Sequence, residues 1–436
     1  MRDYLFNQNT LIIFSAISSV LCFLVIKQTA KLAYSVKRIL LGLAITAVAL
    51  LAEISFIANL FGLHDTPAAA YYITFVCDSL VVLIILTWKS GLRSTLYGFF
   101  ALLSSLILLA LTINNYYQYY PTLGLLFIKS YIGQNVASTL NTSHQNNKLS
   151  NSIEGTLFSN GQGKGTVRAV NIPGTVSNLA VRDAYVYLPP AYSITTFNAV
   201  RFPVLILLTG TPGDPVSWLQ GGQLVSIMDN FASHHEGIAP IIVLADHSGS
   251  FTNDTECLDS THGNAETYLT VDVPSYIKQH YRTSPNATNW GIGGFSEGGM
   301  CAAILTLEHQ NIFRHFLDLG GDSHPFLNDT KQTLPILFKG SNSAQRQHNI
   351  DWLIQNKPFS PGLSAQFAIG ADDNKRLITE MRHTYRVATQ KKLPSTLELI
   401  GHQGHSFTTW SRAFNNALPA MSYNLGATDC VTNCIQ

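Results

Sequence analysis

A serine enclosed by glycines is the clearest chemical signal in the chain. Residues Gly294-Phe295-Ser296-Glu297-Gly298 follow the pattern G-x-S-x-G, in which a serine on a sharp strand-to-helix turn exposes its hydroxyl. A strand-like run, NWGIGGF, comes before Ser296, and a helix-like run, GGMCAAILTLEHQ, follows it. Because five-residue patterns also arise by chance, this strand-turn-helix context is what favours a nucleophilic serine.

A nucleophilic serine needs a base that takes its proton and an acid that orients the base. Of the fourteen histidines, His405 is the preferred base because it lies just after the last predicted strand; His402 is the rival. The acid should follow the preceding strand, where Asp373 is preferred, Asp372 is second and Asp322 is a distant third. The resulting chain order of serine, aspartate and histidine is that of α/β-hydrolases.

The negative oxygen that develops during acyl transfer requires two N–H donors. We expect one donor to be the amide of Glu297 and the other to be Thr211, in the run LILLTGTPGDPVSW after an early strand. Gly210 and Gly213 in that run allow the backbone to approach closely. This chemistry uses no metal ion and no organic cofactor, so none is predicted.

The second part of the chain alternates apolar, strand-like runs with helical patterns. Short apolar runs of this kind are typical of strands buried on both faces, and their alternation with helices predicts a mostly parallel sheet. The predicted helices include 265–282 and 298–310. The predicted strands are 183–189, 202–210, 239–246, 289–295, 313–321, 363–370 and 395–401.

Four long apolar segments occupy the N-terminal part of the chain. They are Thr10–Ile26, Ile39–Phe61, Ala68–Trp88 and Ser94–Ile113. Each has about the 20 residues that a transmembrane helix needs, so the pattern predicts a four-helix transmembrane domain. Lysine and arginine in the first and third connections place those connections in the cytoplasm, and everything after Ile113 outside it. Glu53 and Asp78 fall within these segments, with a functional and a packing role both open.

Composition and cysteine positions narrow the possibilities further. A formal net charge of +1 and only 12% charged residues give no electrostatic argument for a nucleic-acid partner. On the predicted topology four cysteines lie where disulfides persist, and four cysteines allow three pairings. We favour Cys257–Cys301 and Cys430–Cys434.

These observations divide the chain into four predicted parts. Residues 1–115 form the four-helix transmembrane domain, and 116–165 form a juxtamembrane segment and linker. Residues 166–425 form the α/β domain with the serine, and 426–436 form a C-terminal tail.

Six motifs between about 165 and 420 resemble one family of α/β-hydrolases, the branch of esterase D and antigen 85. They are RDAYVYLPPAY, VLILLTGTPGD, GGFSEGGMCA, FLDLGGD, IGADD and GHQGHSFTTW. The whole arrangement is similar to membrane-anchored esterases of actinobacteria. The resemblance implies an α/β-hydrolase fold, a triad of Ser296, Asp373 and His405, and action on acyl esters of the cell envelope. In antigen 85 proteins the acid is a glutamate, whereas GADDNK resembles esterase D, so mycolyl transfer is not implied.

The resulting prediction is a multi-pass integral membrane protein whose extracytoplasmic domain is a serine carboxylesterase or acyltransferase. Its partners would be the membrane and an acyl-ester substrate, a glycolipid or other lipid among the candidates. One alternative is a catalytically inactive envelope scaffold or binding protein with a hydrolase-like domain. A second alternative is a transporter-like or lipid-handling role centred on Glu53 and Asp78.

Overall fold

The computed structural model describes two parts of the chain. It describes residues 96, 103, 107, 110, 114 and 117–120, and then 164–327 and 330–427. The chain divides into two compact units, Met1–Gly124 and Leu125–Gln436, and the sheet described below lies in the second.

One eight-stranded sheet forms the centre of the described chain. Its order is β1-β2-β4-β3-β7-β8-β9-β10, with β1 and β2 antiparallel to their neighbours and the other strands parallel. The strands are β1 Thr166–Val170, β2 Ala184–Leu188, β3 Val204–Leu208, β4 Ile241–Leu244, β7 Trp290–Phe295, β8 His315–Leu319, β9 Ser364–Gly370 and β10 Ser395–Ile400. A two-stranded hairpin, β5 Asp259–Ser260 with β6 Gly263–Asn264, lies outside the sheet. Strands β3, β4, β7, β8 and β9 are buried at every position, as expected of strands covered on both faces.

Helices pack against this sheet. They are α1 Ser217–Gln220, α2 Leu224–Ser233, α3 Ala265–Thr267, α4 Val273–His280, α5 Glu297–Glu308, α6 Thr330–Phe338, α7 Asn342–Gln347, α8 Ile350–Asn356, α9 Lys375–Gln390 and α10 Phe407–Asn424. Short 3-10 turns occupy Pro190–Ser193, Thr195–Phe197 and Ala287–Asn289. Helix α5 follows β7 directly and is apolar along almost its whole length, so it is packed inside the molecule.

The seven predicted strands all occur, and five of them, β3, β4, β7, β8 and β9, are buried at every position. Strand β1 and the β5–β6 hairpin were missed, since β1 is half-buried and the hairpin strands have two residues each. The predicted helix 265–282 is interrupted by a π-helical segment, Tyr268–Asp272, between α3 and α4.

The prediction of a four-helix transmembrane domain is corrected by the structure. Among the described residues, no helix combines the length and the apolar composition needed to cross a membrane. The longest of them, α10, has 18 residues and carries polar side chains on its outer face. The prediction of a multi-pass integral membrane protein is corrected on the same finding. The segments 10–26, 39–61 and 68–88, with Glu53 and Asp78 in them, lie outside the described residues, as does most of 94–113.

Candidate active site

Ser296 occupies the turn between β7 and α5 with an uncommon backbone conformation. Its φ is +55° and its ψ is −130°, a region that residues other than glycine rarely adopt. The turn is held by hydrogen bonds from the Ser296 amide to Leu319 O at 3.0 Å and from the Gly299 amide to Ser296 O at 2.9 Å. A Cβ at Gly298 would lie 2.5 Å from Thr209 O, so the G-x-S-x-G spacing is required by close backbone contact. This is the strained turn that the motif predicts.

Two side chains from the ends of β9 and β10 complete a line of hydrogen bonds to the serine. His405 Nε2 lies 3.0 Å from Ser296 Oγ, and His405 Nδ1 lies 3.0 Å from Asp373 Oδ2. The second carboxylate oxygen of Asp373 accepts a hydrogen bond from the Asn374 amide at 2.7 Å. The Asp373 side chain is 3% exposed and that of His405 is 19% exposed. The acid is therefore shielded, whereas the histidine remains reachable from solvent.

The three other candidates from the sequence lie elsewhere. Asp372 and His402 are exposed, and His402 occupies a turn position with φ of +58°. Asp322 pairs with Arg376 at 2.9 Å. Of the five candidates, Asp373 and His405 are the two that contact one another, and His405 also contacts the serine.

The two predicted oxyanion donors come from two different elements. Glu297 is the first residue of α5, and the first amides of a helix have no intrahelical acceptor. Thr211 follows β3 in a loop that runs beside the serine. A Cβ at Gly210 would lie 2.8 Å from Ser296 Cβ and 3.3 Å from its Oγ. The loop can therefore approach this closely only because residue 210 has no side chain.

Arg182 braces that loop, a function that sequence reasoning missed. Its guanidinium donates to Gly213 O at 3.0 Å and to Asp214 Oδ2 at 3.3 Å. It also donates to both carboxylate oxygens of Asp246, at 2.6 and 3.1 Å. Burial raises the pKa of Asp246, but the hydrogen bonds from Arg182 outweigh it and the pKa is lowered overall. The motif RDAYVYLPP contained Arg182, yet nothing in the sequence indicated its partners 31 and 64 positions away.

An aromatic wall stands behind the histidine. The rings of Phe295 and Trp410 stack at 4.2 Å, and Trp218 packs on Phe295 at 5.2 Å. The His405 imidazole stands edge-on to Trp410 at 5.0 Å. This wall restricts the rotation of the imidazole and supplies an apolar side to the site.

A disulfide joins Cys257 and Cys301 in the structure. It links the loop before β5 to the first turns of α5, close to the serine. Cys430 and Cys434 lie outside the described residues.

The fold is that of an α/β-hydrolase. Residues 181–425 match the family model described as "Putative esterase", which covers more than half of the chain. The chain therefore belongs to this esterase family, and the family predicted from the motifs is confirmed.

Two curated proteins are similar to parts of the chain. An uncharacterized protein of Corynebacterium glutamicum is 34% identical over 261 residues, which are 58% of this chain and 60% of that protein. An endo-1,4-beta-xylanase/feruloyl esterase of Xylanibacter ruminicola is 28% identical over 180 residues, 40% of this chain and 24% of that protein. The chain thus matches less than two thirds of either relative.

Solved structures support the same fold. A ferulic acid esterase, 20% identical, has a TM-score of 0.51, and the match covers 60% of this chain and 99% of that one. An S-formylglutathione hydrolase of Agrobacterium tumefaciens, 18% identical, has the same TM-score over 62% of this chain and 98% of that one. The α/β-hydrolase part of the predicted fold is confirmed.

Proposed function

We propose that the protein is a serine carboxylesterase that works through an acyl-enzyme on Ser296. The observation that carries the proposal is the unbroken hydrogen-bond line from Asp373 through His405 to Ser296. Membership of an esterase family supports the same class of reaction.

The first half-reaction transfers the acyl group to the serine. Ser296 Oγ attacks the ester carbonyl carbon while His405 Nε2 takes the hydroxyl proton, and Asp373 accepts the hydrogen bond from Nδ1–H of the imidazolium. The amides of Glu297 and Thr211 donate to the carbonyl oxygen as it becomes negative. The carbon–oxygen ester bond then breaks, and His405 gives its proton to the departing alcohol.

The second half-reaction regenerates the serine. His405 takes a proton from water, the resulting hydroxide attacks the acyl carbon, and the acid leaves as Ser296 recovers its proton. An alcohol group of a sugar or lipid in place of water makes the same protein an acyltransferase. Envelope acyl esters are candidate substrates by the resemblance, and the feruloyl esterase among the relatives adds aromatic acyl esters to the set to be tested.

The decisive experiment is labelling of the purified protein with a fluorophosphonate probe, followed by assays with acetyl, butyryl, long-chain and feruloyl esters. We expect the wild type to be labelled, and the Ser296→Ala and His405→Ala variants not to be. His402→Ala is the matched control and should label like the wild type. A folded wild type that neither labels nor hydrolyses any of these esters would contradict the proposal and favour an inactive binding protein.

Hydrolysis and transfer are separated by adding an alcohol acceptor. With glycerol or a hexose present, a transferase forms a new ester as the original one is consumed. An esterase forms only the free acid.

A further inference from the structure

Four ionisable side chains interact next to the start of α5, three of them buried and one, Asp254, half-buried. We call His247, Asp254, Glu256 and Glu297 the elbow cluster. His247 is 1% exposed, Glu256 is 7% exposed, and the Glu297 side chain is 8% exposed. Burying charge at this depth costs free energy unless the charges compensate one another. The proposed triad does not explain why these ionisable groups are buried together at this position.

The first compensation in the elbow cluster is an ion-pair contact. His247 Nε2 lies 3.5 Å from Glu297 Oε1, at the outer limit of a hydrogen bond. Burial lowers the pKa of His247, but the Glu297 carboxylate outweighs burial and the pKa is raised overall. Asp246 acts in the same direction, and Arg182 acts against it. The imidazole is thus biased toward its charged form by the carboxylate that it faces.

The second compensation is a raised pKa in two carboxyl groups, Asp254 and Glu256. Burial raises the pKa of Asp254 to about 7, with the Glu297 carboxylate adding to the rise. Burial, Asp254 and Glu297 together raise the pKa of Glu256 well above its usual range, and Asp322 adds to that rise. Both carboxyl groups are therefore biased toward their neutral, protonated forms, which place less negative charge beside Glu297.

The loop that carries the two carboxyls is fixed to α5. Glu256 and Cys257 both have positive φ, 50° and 54°, and Cys257 is disulfide-bonded to Cys301 on the helix. The Thr255 hydroxyl also donates to His247 O at 3.1 Å. The cluster is thus constrained from the loop side as well as from the helix side.

Glu297 is the residue that joins this cluster to the proposed chemistry. Its amide is the proposed oxyanion donor, and its side chain contacts His247 on the buried side. Ser296, the preceding residue, has φ of +55°, which is a strained backbone conformation. The turn alone therefore does not favour the orientation of the Glu297 amide. An oxyanion beside an uncompensated carboxylate would also be destabilised by charge repulsion.

We propose that His247 and Glu297 are positioning residues that hold the oxyanion amide of Glu297 in place. This inference rests on the proposed esterase function. It assigns to the side chain of Glu297 a function separate from that of its backbone.

The first test is steady-state hydrolysis of p-nitrophenyl butyrate by Glu297→Gln and His247→Gln, with folding checked by circular dichroism. We expect kcat to fall about 10- to 100-fold, with KM within about twofold of wild type, because the oxyanion forms only after substrate binds. Glu266→Gln is the matched control, since Glu266 contacts His309 Nε2 at 2.7 Å near the other end of the same helix and should leave kcat unchanged. A folded Glu297→Gln variant with kcat within twofold of wild type would overturn the proposal.

The two proposals fail in different ways. A wild type that is neither labelled nor active contradicts the esterase function, and with it any positioning role. The His247–Glu297 contact is then still measurable in urea unfolding of the two single variants and the double variant. If the losses of the single variants simply add in the double variant, the pair does not interact. If the wild type is active and the losses in the free energy of unfolding add, the esterase proposal stands and the proposed interaction of His247 with Glu297 is overturned.

Discussion

The imidazole of His405 lies 3.0 Å from the hydroxyl oxygen of Ser296, although 109 positions separate the two residues in the chain. The contact arises because β7 and β10 run parallel in one sheet, so that their carboxyl ends meet at the same edge. Side chains that follow parallel strands converge there, and this is where α/β folds bind their ligands.

The identity of the acid can be tested with a pair of adjacent variants. Asp373→Asn should lower kcat by about 10²- to 10⁴-fold, because the imidazole then loses the acceptor that fixes its tautomer. Asp372 is exposed, so Asp372→Asn should retain nearly full activity. Kinetics with p-nitrophenyl butyrate compare the two. Equal losses in both variants would contradict the assignment.

The close approach of the loop after β3, which carries Thr211, to Ser296 can be tested at Gly210. A methyl group there would lie 2.8 Å from Ser296 Cβ, too close for the present backbone. Gly210→Ala should therefore displace the loop and reduce kcat by about 10-fold or more, as expected when donors move away from the developing charge. Gly340→Ala has open space around its Cβ and serves as the control, although its positive φ will cost some stability. Wild-type kcat in Gly210→Ala would argue against this placement of Thr211.

Arg182 should be sensitive even to a conservative change. Arg182→Lys keeps the charge but loses the fork that reaches Asp246 and Gly213 together. We expect a loss of about 1–3 kcal/mol in the free energy of unfolding and a lower kcat. Urea unfolding and steady-state kinetics measure the two effects. A variant that loses stability but keeps kcat would show that the brace does not position the loop.

The buried Asp318 carboxyl should make the free energy of unfolding depend on pH. Burial raises its pKa to about 7, against the hydrogen bond from the Gly321 amide. Since the folded pKa exceeds the unfolded value, this residue's contribution is fully present below about pH 4 and is lost as pH rises to about 7. The loss is at most about 1.4 kcal/mol per pH unit. Asp318→Asn should remove this slope and be relatively more stable at pH 8 than at pH 4, as measured by urea unfolding at both values. Parallel pH curves for the two proteins would contradict the assignment.

The disulfide should contribute strongly to stability because it closes a long loop. Cys257 and Cys301 are 44 positions apart, which corresponds to about 4 kcal/mol in the chain-entropy model. The Cys257→Ser/Cys301→Ser double variant should lose a comparable amount. Unfolding of the wild type with and without a reductant gives the same comparison, and the double variant should not respond to the reductant.

Much of the fold could be predicted because its signals are local. Runs such as FPVLILLTG are continuously apolar, and only strands buried on both faces use that pattern often. The G-x-S-x-G motif is local as well, because the strained turn at Ser296 needs its glycines within two residues. Apolar length was a less reliable signal, since it led to the transmembrane prediction that the described helices do not support.

The choices between neighbouring residues could be ranked from the sequence but were decided by the tertiary structure. Asp372 and Asp373 have the same chemistry, and only the direction of the chain after β9 turns one outward and the other toward His405. Contacts such as Arg182 with Asp246, or His247 with Glu297, join residues 64 and 50 positions apart. Hydrophobic periodicity specifies which residues are buried, but the pairing of polar groups depends on how the strands and loops meet in space. The sequence by itself therefore determined the sheet and the nucleophile candidate, and the tertiary structure decided which charged side chains surround it.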